Sequence, residues 1–152
     1  MALGESIHKI PEIFWCFCST SEFSKITYHS ILIQAFDILG EDSFKDYALE
    51  QINYALGSSG RSFVVGFGNN PPQRPHHSSS SCPDAPAVCD WDNFNMPGPN
   101  THTLYGALVG GPGSQGSDDI ADKRDDYITN EVTLDYNAGF QSALAGLLDK
   151  AC

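Results

Sequence analysis

The stretch from Asp118 to Phe140 reads DDIADKRDDYITNEVTLDYNAGF. Asp118, Asp119, Asp122, Asp125, Asp126, Glu131 and Asp135 crowd around Lys123 and Arg124 before the chain turns apolar. From there Val132, Tyr136, Phe140, Ala143, Leu144 and Leu147 recur at the 3, 4 and 7 spacing of one helix face, which predicts a closing helix packed on a core. Thr129 or Asn130 is the expected N-cap, with Glu131 in the first turn beside the apolar stripe.

Upstream, Ile31, Leu32, Ala35, Phe36 and Leu39 predict a helix over Tyr28–Leu39 that Gly40 ends. After a short turn, Ser43 with Asp46 resembles a capping arrangement. Phe44, Tyr47, Ala48, Ile52, Ala55 and Leu56 then form a second helical stripe ending at Gly57. SFVVGF, at Ser62–Phe67, is β-branched and aromatic, and its glycines limit it to a short extended piece. Prolines at 71, 72, 75, 83, 86, 97 and 99 exclude regular helix from most of Asn69–His102. The expected fold class is all-α, with helical ends around a loop-rich middle.

The 152 residues suit one domain. Eight basic against 19 acidic residues give a net charge of −11, a field that repels phosphate backbones and anionic lipid, so neither nucleic acid nor a membrane is an expected partner. The first 18 residues do not read as a secretory leader, because Glu5, His8, Lys9, Pro11 and Glu12 interrupt the apolar positions. Cys82 and Cys89 flank PDAPAV and have the spacing to close it as a disulfide, which suits an oxidising compartment. The other reading of that pair, zinc ligation with His76 and His77, meets a gap wider than the two to four residues usual between paired zinc ligands. No cofactor is expected.

Taken as residue types, Asp122 and Glu131 suit general acid–base work if a cleft brings them together, since like charge and burial raise the pKa of one carboxyl. An acidic run is more often a solvated face, and first-turn carboxylates complement a helix dipole. His76 is suited to contact a sugar hydroxyl or to work near neutral pH. Trp91 offers a stacking face, with Phe94, Tyr105 and Tyr127 as further loop aromatics that otherwise fill a core.

These residues carry a resemblance. NYALGSSGRSFVVGFGNNPPQRPHH, SCPDAPAVCDW, LYGALVGGP and ADKRDDYITNEVTLDYNAGFQSALAGL resemble, in order, the C-terminal part of glycoside hydrolase family 9 endoglucanases, particularly those of animals. Residues 23–152 correspond to that portion, and 1–22 stay unassigned. The resemblance implies a partial (α/α)6 barrel of the six-hairpin glycosidase type whose cleft hydrolyses internal β-1,4 bonds of cellulose with inversion. It implies His76 as an active-site histidine, Asp122 as an active-site aspartate and Glu131 as the proton donor. Arg124, Asp126, Tyr127, Asn130 and Asn137 fit the same motif, which makes Arg124 and Tyr127, with Trp91, the expected substrate-binding residues. Ser78 stands where the family carries arginine, and Ile120 where it carries an aromatic. The aspartate pair that activates water belongs to a DAGD-type motif absent from these 152 residues. The expectation is therefore a fragment that carries the acid half of a site, inactive alone, from a protein secreted by family resemblance. A noncatalytic glycan-binding role is the alternative.

Overall fold

A computed structural model describes residues 33–112 and 120–149. The described residues are all-α, a portion of an (α/α)6 barrel, with isolated bridges in place of strands. Helix α1 spans Asp42–Ala55, α2 Ser78–Ser81, α3 Trp91–Asn95 and α4 Leu134–Asp149. Residues 33–39 are also helical, and the rest of the Tyr28–Leu39 expectation lies outside the described residues.

The amphipathic stripes decide how the long helices pack. The buried Ala48 on α1 packs with Ile33, while Ile52 and Ala55 share a buried core with Phe140 and Ala143 on α4. Val132, Tyr136, Leu144 and Leu147 pack against the same core, so the stripe read from the sequence is the stripe that is used. Gly146 lets Ile33 approach α4 closely: a Cβ there would lie 2.4 Å from the Ile33 Cγ2. Leu39 is 60% exposed and Tyr47 41% exposed, so those two positions of the expected stripes lie outside the core.

Both helix starts differ from the sequence reading. Helix α1 begins at Asp42 with Glu41 at its N-cap and no side-chain cap bond, so the Ser43–Asp46 box does not form. Its end is as expected, with Gly57 at φ +95° and its N–H donated to the Tyr54 carbonyl. Helix α4 begins at Leu134, with the Thr133 hydroxyl accepting the Tyr136 N–H at 3.4 Å. The reason is that Glu131 and Val132 are extended and bridged to other segments, which helical dihedrals would forbid.

Between the helices runs a narrow ladder. Val64 bridges Leu108 and Val109 bridges Val132, both antiparallel, while His76 and Glu131 form a parallel bridge. Phe63, Val64, Val65, Leu108 and Val109 are all at most 2% exposed, so the ladder is the floor of the core as well as the track to the site. Fully burying side chains of this size stabilises by about 1.5–3 kcal/mol each. Asn137 locks the ladder to α4: its Oδ1 accepts the Leu108 N–H at 2.9 Å and its Nδ2 donates to the Leu108 carbonyl at 3.2 Å.

That amide occupies the place a neighbouring strand would take. Asn137→Ala is expected to leave both Leu108 backbone groups unpaired and to destabilise the chain by about 2 kcal/mol, read as a lower urea midpoint at unchanged slope.

Candidate active site

The loop between Pro71 and Asn100 is folded back on itself by short polar bonds. His77 caps α2, its Nδ1 accepting the Ser80 N–H at 3.2 Å, and the Ser80 and Ser81 hydroxyls donate to the His77 carbonyl. Asn100 is buried, and its Nδ2 donates to Ser80 Oγ at 2.7 Å and to the Pro75 carbonyl at 3.0 Å. Cys82 and Cys89 are joined in a disulfide with Cα atoms 5.1 Å apart. That bond excludes both sulfurs from the zinc reading.

The result is a depression of about 450 Å³ lined by His76, His77, Ser78 and Ser81 in and before α2, by Cys89, Asp90, Trp91 and Phe94 in and before α3, and by Arg124. Trp91 is 75% exposed and meets the Phe94 ring edge-on at 5.5 Å, leaving indole surface open to a ligand.

His76 is fixed from three directions. Its N–H donates to the Asn130 carbonyl at 2.8 Å, its Nδ1 bonds the Arg124 carbonyl, and its ring lies edge-to-face with Tyr127 at 6.4 Å. The parallel bridge makes Glu131 its neighbour across the ladder. Tyr136 lies close to the same carboxylate: burial first, and then the charge of Glu131, push its phenol above the usual range. The sequence showed Tyr136 only as a core position.

The Asp122 carboxylate is engaged by backbone. It accepts the N–H groups of Gln73 and Arg74 at 3.1 and 2.9 Å and lies 3.7 Å from Arg61 Nη2. Asp122 takes up φ +43°, a left-handed conformation unusual for a side-chain-bearing residue. The acidic motif is thereby tied to the segment two residues before His76.

Arg124 is buried, and its guanidinium faces protein rather than open solvent. Nε donates to Asn100 Oδ1 at 2.6 Å, Nη1 to the carbonyls of Phe94 and Met96, and Nη2 to the Gly98 carbonyl at 2.7 Å. Burial first, and then the charge of Arg74, lower its pKa, with Asp122 opposing. Of the residues singled out in the sequence, His76, Trp91 and Arg124 therefore line the depression. Glu131 and Tyr127 are joined to it through His76, and Asp122 is bonded to the Gln73 and Arg74 backbone that leads to His76. Asn100 was missed, since a lone asparagine beside Pro99 carries no periodic signal.

The glycosyl hydrolase family 9 model matches residues 16–144. Endoglucanase B of Cellulomonas fimi is 51% identical over 110 residues, covering 70% of this chain and 10% of that protein. The endoglucanase of Dictyostelium discoideum is 42% identical over 114 residues, covering 74% and 15%. Among solved structures, the endoglucanase of the termite Nasutitermes takasagoensis superposes with a TM-score of 0.76 at 57% identity, covering 82% of this chain and 28% of that one. Endoglucanase CelQ of Clostridium thermocellum complexed with cellotetraose gives a TM-score of 0.70 at 40% identity, covering 85% and 21%. The chain thus spans 10% to 28% of the length of these relatives.

The turn entering Glu131 has its own pH signature. Burial pushes the Asp126 carboxyl up, but the Thr129 hydroxyl, the N–H groups of Thr129 and Ile128 and the charge of His76 together hold it below the ordinary value of 3.8. A depressed folded-state pKa means stability present above 3.8 and lost as pH falls through the lower folded value. Wild type should exceed Asp126→Asn in melting temperature at neutral pH, and the gap should close as the pH drops below 3.8, measured by thermal melts across an acid series.

Proposed function

Because this chain belongs to glycosyl hydrolase family 9, we propose that it carries the general-acid half of an inverting endo-β-1,4-glucanase site acting on cellulose. The observation that supports this most is the bridge seating Glu131 beside His76, at the edge of a depression walled by an exposed tryptophan. In this reading Trp91 stacks on a glucosyl ring and His76, fixed at its backbone and at Nδ1, presents its Nε2 edge to a sugar hydroxyl. Glu131 donates its proton to the glycosidic oxygen as the bond to the anomeric carbon breaks. Asp122 is a positioning residue, holding Gln73 and Arg74 so that His76 meets Glu131.

Tyr127 packs the back of the imidazole, and Arg124 shapes the floor, with its remaining N–H the part available to a hydroxyl. Inversion also requires a base on the opposite face of the sugar, with room for water between carboxyls roughly 6.5–9.5 Å apart. The motif that serves this in the family lies outside these 152 residues, so turnover is assigned to the longer assembly and glycan contact to this chain. A relative complexed with cellotetraose supports the same class of ligand here. The Cys82–Cys89 bond favours an oxidising, secreted setting, and among the described residues no helix is long and apolar enough to cross a membrane.

The exposure of Trp91 also favours a purely glycan-binding role. The purified chain should bind cellotetraose, Trp91→Ala should weaken binding about tenfold, and carboxymethylcellulose should yield no reducing ends. Turnover by this chain that vanishes in Glu131→Gln would overturn the half-site assignment, whereas failure to bind any cello-oligosaccharide would overturn the glycan reading itself.

A further inference from the structure

The wall that carries Trp91 has an unusual construction. Helix α3 contains no buried residue, and every position from Asp84 to Asp92 is exposed, so no apolar core holds this segment in place. Its capping box, in which Asp90 and Asn93 exchange bonds, is internal to the helix, as is the contact between Trp91 and Phe94. Helix α3 lies beside α2, and the bonds that tie the segment to the rest of the protein lie at its two ends. On the C-terminal side, the buried Arg124 guanidinium gathers the carbonyls of Phe94, Met96 and Gly98. On the N-terminal side, Cys89 is bonded to Cys82, the C-cap of α2, whose residues Ser78 and Ser81 line the same depression. The Asp84–His102 pair on the same loop is 3.5 Å long between side chains 89% and 44% exposed, too solvated to fix its position.

We infer that the Cys82–Cys89 disulfide is a positioning element of the binding site: it sets the distance between the Trp91 wall and the α2 wall, and through Trp91 it sets glycan affinity. This rests on the glycan reading for its affinity part and on geometry alone for its positioning part. Cys89 is two residues from Trp91 and lines the depression itself, so the covalent tether acts directly on the stacking face. With the bond absent, the N-terminal end of the wall keeps only the proximity of α3 to α2, and its hydrogen-bonded anchor begins at Phe94. The indole then samples orientations away from His76, and a sugar must order it on binding.

The test uses the full chain in a Trp15→Phe background, so that all tryptophan emission comes from Trp91. Cys82→Ala with Cys89→Ala should lower the steady-state anisotropy of Trp91 without ligand, and weaken cellotetraose by about tenfold in calorimetry. His102→Ala should change neither. Combined with Trp91→Ala, disulfide removal should cost no further affinity, because its effect passes through the indole. Unchanged anisotropy in the disulfide-free variant would overturn the inference, as would additive losses in the combined variant, which would mark the bond as a general stabiliser. If the parent chain does not bind cellotetraose, the glycan reading fails separately and the anisotropy still decides the positioning role. Should the double variant not fold, dithiothreitol added to the folded chain reduces the bond to two thiols while itself closing to a cyclic disulfide, and the same anisotropy change is expected.

Discussion

Everything that makes a site of these residues passes through the buried side chain and backbone of Asn130. It has no exposed surface; its Nδ2 donates to the carbonyls of Arg74 and Lys123 and its own carbonyl accepts the His76 N–H. One residue therefore ties the histidine segment, the acidic motif and the approach to α4 together. Charge-rich and proline-rich strands of chain do not adhere for hydrophobic reasons, and buried backbone groups must find partners. Here those partners are each other, arranged around one amide. Glu131, next in sequence, inherits its placement from that arrangement.

The architecture has two halves with different physics. The helices and the ladder through Phe63, Val65, Leu108 and Val109 are held by apolar burial. The loop from Pro71 to Asn100 is held by Asn100, Arg124, the serines of α2 and a disulfide, with little apolar surface beyond Pro72 and Pro75. Asp122 and Asn130 join the halves. A polar scaffold of this sort keeps the floor of a sugar site hydrophilic and rigid, and leaves its aromatic surface free for the ligand.

The α4 stripe and the Gly57 terminus were legible because periodicity and a positive φ are local properties that leave a mark in sequence. The helix starts were not. Thr133 caps α4 because Glu131 and Val132 are held extended by His76 and Val109, residues 55 and 23 positions away in the chain, and no local pattern encodes that pairing. The site followed the same division. His76 and Arg124 were recognisable through motif resemblance and Trp91 as an aromatic in a loop, and all three line one depression. The partners of Asp122 and the clamp formed by Asn100 depend on tertiary contacts between remote segments, which residue type alone does not encode.

Ile38, Leu39, Leu134 and Leu148 stand 60–89% exposed on or beside the helical elements, in a chain carrying eleven net negative charges. Colloidal behaviour is set by the contest between these two features. At low ionic strength, mutual repulsion reaches across roughly 30 Å and holds the sticky faces of neighbouring molecules apart; at physiological salt the range shrinks to about 8 Å, close to contact. Ionic strength then governs whether this chain stays dispersed, so a surface that plays no part in the proposed chemistry determines the buffers in which that chemistry can be observed.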